Sequence, residues 1–114
     1  MKNKLLGISL ALAFSSTAFA ADCGEIPYDT PTVPSGETAA ADEIRQARVS
    51  IVEFSNKVDA YLTCMDQRAS SILPYLTKEQ QTRWEEDLAD LHEKRRDIQT
   101  QMNLAIRAFR KANR

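Results

Sequence analysis

The sequence predicts an all-α fold: a long antiparallel two-helix hairpin, coiled-coil-like, with an extended Pro-rich N-terminal segment fastened to it by a disulfide. Three observations carry that prediction. Two apolar stripes recur near the heptad period, a proline separates them with almost no chain to spare, and two cysteines stand where the lengths of the pieces bring them together.

Residues 1–20 read as an export signal. Lys2 and Lys4 form a cationic head, residues 5–14 an apolar run, and Ala18-Phe19-Ala20 a small-residue site before Ala21. The apolar run is about half the roughly 20 residues that a membrane span needs. Cleavage near Ala20 and a periplasmic or secreted product are therefore expected, with no membrane span. Asp22 before Cys23 disfavours a lipid-anchored start, because a lipoprotein signal wants a small neutral residue there.

Residues 21–36 hold three of the four prolines and two of the three glycines. Proline removes backbone donors and fixes φ, so this segment should be extended.

The first helix is expected from about residue 38 to about residue 73. Ile44, Ala47, Ile51, Phe54, Val58, Tyr61 and Met65 alternate spacings of three and four, Ile72 lies one heptad further, and Pro74 ends the run. The second should span about 78–112. Thr77 with Gln80 matches a capping box, and Trp84, Leu88, Leu91, Ile98, Met102, Ala105, Phe109 and Ala112 form its stripe. Arg95 interrupts that stripe. Acidic residues gather in the first half of this helix and Arg107, Arg110, Lys111 and Arg114 at its end, as the helix dipole favours.

Helices of about 35 residues, each roughly 50 Å long, joined by so short a link must be antiparallel neighbours. The register places Met65 near Glu86, Phe54 near Ile98 and Ala47 near Ala105. Arg95 then falls beside Asn56, within reach of Glu53 or Asp59, and is expected to lay its stem on the seam and its head in solvent. The chain thus divides into residues 1–20, 21–36 and 37–114.

The cysteines test this geometry. Cys64 lies about 39 Å along the first helix at 1.5 Å per residue, and the segment from Cys23 to Gly36 reaches roughly 40 Å at about 3.1 Å per residue. The N-terminal segment should fold back along the first helix, lay Ile26, Tyr28 and Val33 into the hairpin groove, and be fastened by a Cys23–Cys64 disulfide. A redox pair would want the Cys-x-x-Cys spacing that is absent.

Composition narrows the function. With 15 Lys and Arg against 16 Asp and Glu, the net charge of −1 argues against a nucleic-acid binder. His92 has Leu88, Ala89, Arg95 and Arg96 as helical neighbours, so no metal site is expected around it. The acidic group of Glu85, Glu86, Asp87, Asp90 and Glu93 alternates with basic residues, and pairs such as Glu79 with Arg83 and Asp90 with Lys94 suggest an ordinary salt-laced face. Ser70 and Ser71 have no base in reach. No catalytic constellation, cofactor or metal is expected, and Tyr75 and Trp84 read as packing residues near the bend.

Two resemblances add to this reading. The early Cys, Val33 to Gly36 (Val-Pro-Ser-Gly) and Tyr61-Leu62-Thr63-Cys64 make the chain similar to small exported disulfide-containing helical proteins of unknown function from Gram-negative bacteria. Leu76-Thr77-Lys78-Glu79-Gln80 resembles the Leu-Thr-x-x-Gln motif of ATP-independent periplasmic chaperones, a resemblance that implies a dimeric helical cradle for unfolded clients. That chaperone pattern carries two such motifs, and this chain carries one. The reading that emerges is a non-enzymatic structural or protein-binding module of the cell envelope. A periplasmic chaperone and a small exported inhibitor are the alternatives. Leu76, Thr77, Gln80 and Trp84 are the candidate partner-binding residues, and a homodimer would cover whatever apolar surface one hairpin leaves open.

Overall fold

The computed structural model describes residues 23–114. The expected signal segment, its cleavage point and residues 21–22 lie outside the described residues. Two long helices, α1 (Ala41–Ile72) and α2 (Lys78–Ala112), are joined by a single 3-10 turn, Leu73–Tyr75. They pack as the expected antiparallel hairpin, and the described residues contain no strand.

The bend is built as its sequence dictates. Pro74 opens the 3-10 turn, and Thr77 caps α2 with a complete capping box. The Gln80 backbone N–H donates to Thr77 Oγ1 at 3.2 Å, and the Thr77 N–H donates to Gln80 Oε1 at 2.9 Å. The Gln81 side-chain amide donates to the Leu73 carbonyl at 2.9 Å, which ties the turn to the first part of α2.

The start of α1 differs from expectation by three residues. Residues 36–38 form a turn in which the Ser35 carbonyl accepts from the backbone N–H groups of Thr38 and Ala39. Gly36 is pressed so closely on α2 that a Cβ there would lie 2.0 Å from the Ala105 carbonyl oxygen. Tertiary docking at Gly36 therefore sets where the helix begins, and residue pattern alone does not carry that information.

The core lies between the helices over most of their length. Ile44, Ala47, Ile51, Phe54, Val58 and Leu62 of α1 meet Leu91, Ile98, Met102 and Ala105 of α2. Val58 at its centre has no exposed surface. Leu62 takes the inward place expected of Tyr61, which is only half-buried. A straight helix turns every 3.6 residues, so the inward line drifts forward from a strict heptad repeat, and from Phe54 it advances by fours.

Residues 24–35 form the expected extended strap. Ile26 and Val33 pack on the core, together with Ala39 from the turn that follows the strap. Tyr28 does not enter the groove as expected. It is 61% exposed, with the Lys94 ammonium over its ring at 5.0 Å from the centroid, a cation–π contact that keeps the phenol in water. The Cys23–Cys64 disulfide fastens the strap, with Cα atoms 5.6 Å apart. Gly24, at φ 77°, makes the left-handed turn that leads away from it.

Arg95 reaches Asp59, as the register allows, but its head is not left in solvent. Its guanidinium is bound, forming an ion pair with Asp59 and donating to His92 Nδ1 at 3.2 Å. One turn away, Gln99 donates to Ser55 at 3.2 Å. These two cross-helix links run along the groove opposite the strap, so the hairpin has one groove covered by the strap and a second bridged by side chains near its middle.

Candidate functional site

Beyond Leu62 on α1 and before Leu91 on α2 the burial stops. Met65, Ile72, Leu73, Leu76, Trp84 and Leu88 are all half-buried. The reason lies in the pairing, because the register sets the apolar Met65 and Ile72 of α1 against a first half of α2 that is mostly charged.

What results is an open cleft of about 490 Å³. Its walls are Ile26 from the strap, Tyr61, Met65 and Ile72 from α1, and Trp84 from α2, with Arg68 also in its lining. Cys23 lines it too, so the disulfide holds the strap wall against α1. The bend projects beyond it, where Tyr75 is 88% exposed and does not pack as expected.

Burial, and secondarily the charges of Tyr28 and Asp87, raise the Tyr61 phenol above its ordinary value of 10.0, so it stays neutral as a donor. A second hollow, of about 280 Å³, lies between Tyr28 and α2. Asp87, Asp90, Glu93 and Asp97 line it, so that side of the strap is strongly acidic. The salt-laced face expected here is not formed. Neither Glu79 with Arg83 nor Asp90 with Lys94 is an ion pair among the described residues, and Lys94 lies over Tyr28. Exposed pairs of this kind are worth so little that a ring nearby can outcompete them.

The four candidate residues separate. Trp84 lines the cleft. Thr77 and Gln80 spend their side chains on each other in the cap. Leu76 is half-buried in the link, its N–H donating to the Leu73 carbonyl at 3.1 Å and its carbonyl accepting from Gln81. The cleft walls Tyr61, Met65 and Ile72 were read from sequence as seam residues. The signal that distinguishes them is the charged residues opposite.

No arrangement for chemistry joins these residues. Ser71 donates to the Arg68 carbonyl at 3.0 Å, and His92 is engaged by Arg95. Among the described residues no group of His, Cys, Asp or Glu could hold a metal ion, and no described helix is long and apolar enough to cross a membrane. The cleft offers rigid aromatic and flexible thioether walls with an acidic surface beside it. Compared with protein-family models, with curated proteins and with solved structures, the chain finds no match in any of the three.

Proposed function

We propose that this protein is an exported, non-catalytic protein-binding module of the cell envelope, and that the bend end is its working surface. The observation that carries the reading is the half-open cleft around Trp84, Met65 and Tyr61, on a hairpin whose other half has a continuous buried core between its helices. Aromatic anchors in a concave surface are what protein partners use most. The signal-like first 20 residues and the disulfide support an oxidising compartment.

Site-specific photo-cross-linking in the exporting cell tests this. A photoreactive residue at Met65 or Tyr75 should give discrete protein adducts that Trp84→Ala abolishes, whereas one at Val49, on the outer face of α1, should not. Adducts from Val49 alone, or the same adducts from all three positions, would assign the working surface elsewhere.

The chaperone reading draws on the same apolar cleft, whereas the Leu-Thr-x-x-Gln letters are accounted for by the cap. Suppression of client aggregation that falls in Trp84→Ala but survives Thr77→Ala would favour a chaperone acting through the cleft.

A further inference from the structure

Of the nine arginines, three have a partner among the described residues, and of the six others Arg83, Arg96 and Arg114 stand apart while three converge on one cavity. Arg45 pairs with Asp42 and Arg95 with Asp59, and Arg68 also has a partner. Arg48, Arg107 and Arg110 have no ion pair or hydrogen bond among the described residues. These three, carried by both helices, line one cavity of about 360 Å³ together with Asn103 and Ile106.

No carboxylate lines that cavity, and none of the strap residues does, so it opens from the groove that the strap leaves free. The half-buried Ile106 gives it an apolar wall.

Helix electrostatics does not account for the convergence. Arg110 lies in the last turn of α2, where a cation is favoured, but Arg107 precedes that turn and the effect fades within it. Arg48 belongs to the other helix, whose nearer end favours acids and carries Asp42 and Glu43. Three exposed guanidinium groups around one hollow with no carboxylate in its lining leave a local excess of positive charge that an anion between them would neutralise.

We propose that this cavity is a binding site for a phosphate-type anion, free or as a lipid headgroup. The flat donor forks of Arg48, Arg107 and Arg110 each match a pair of phosphate oxygens, and the Asn103 amide supplies a further donor. A single carboxylate would occupy one fork, whereas a di- or polyanion with several oxygens engages all three. The site is separate from the bend cleft and stands whether or not that cleft binds protein.

The test uses the exported chain with its disulfide intact. Titration with sodium pyrophosphate should show saturable binding that weakens as salt rises. Arg48→Gln with Arg107→Gln and Arg110→Gln should weaken it about tenfold or more, the scale of losing charge-assisted hydrogen bonds. Lys78→Gln with Arg83→Gln and Arg96→Gln removes the same charge elsewhere and should leave binding nearly unchanged. The thermal melt of each variant verifies that it folds. Co-sedimentation with phosphatidylglycerol vesicles but not with phosphatidylcholine vesicles, lost in the first variant, would assign the phosphate to a lipid. Pyrophosphate binding without vesicle binding would assign it to a free ligand. Binding of neither probe, or equal loss in both variants, would overturn the site.

Discussion

The two ends of this hairpin are held by different physics. Around Phe54 and Ile98 the helices exclude water from a continuous core, and Gly36 lets the turn after the strap meet the α2 backbone. Around Met65 and Trp84 nothing is fully buried, and a disulfide, a capping box and the Gln81 amide do the holding. Burial is cooperative and non-directional, so the closed end tolerates little change of volume. Cross-links fix backbone positions without filling the space between them, so the bend end can stay open and still be ordered.

The disulfide gives the largest test of that contrast. Replacing both cysteines (Cys23→Ser with Cys64→Ser) removes a cross-link with a sequence separation of 41 residues. It should cost about 4 kcal/mol on the chain-entropy model. Urea unfolding measures it, and hydrogen exchange should show protection lost at the strap and along residues 63–72 before the closed end. Uniform loss along both helices would mean that the ends are not separately held.

Phe54→Ala and Trp84→Ala should divide the two ends by size of effect. Phe54 is 4% exposed, so its loss should cost about 3 kcal/mol. The half-buried Trp84 should cost about 1 kcal/mol, since its cavity already opens to water. Equal costs would show that the cleft is part of the core.

Thr77→Ala should cost about 1 kcal/mol by removing one arm of the capping box, with Gln80→Ala similar and the double variant less than additive.

The smallest effect is the titration of Tyr61. Its folded value is raised, so the unfolded chain releases this proton first as pH rises past about 10. Stability should be insensitive to this group below that pH and should fall above it. Ultraviolet titration should show a late phenol that Tyr61→Phe removes.

The hairpin was legible in the sequence because heptad spacing, Pro74 and the Thr77–Gln80 box all act locally and agree. The disulfide was legible because two lengths could be compared. Other features were not, because they depend on what lies across the groove. Gly36 sets the start of α1 through its contact with Ala105, and Tyr28 turns outward because Lys94 waits there. Met65 and Ile72 fit the apolar period as well as Phe54 does. Their openness comes from the charged residues opposite, and so Trp84 alone of the four candidate residues reaches the cleft.

The Cys23–Cys64 bond closes a covalent ring that contains the strap and most of α1 and leaves α2 wholly outside it. The link between ring and α2 is the bend, where Pro74 and Tyr75 stand exposed. One peptide cut there turns the protein into two polypeptides, a ring and a free helix, joined by non-covalent contacts alone, chiefly the seam from Leu91 to Ala105. Folding of the cut molecule becomes an association, with a midpoint that moves with concentration. The intact bend therefore keeps α2 at high local concentration beside its groove.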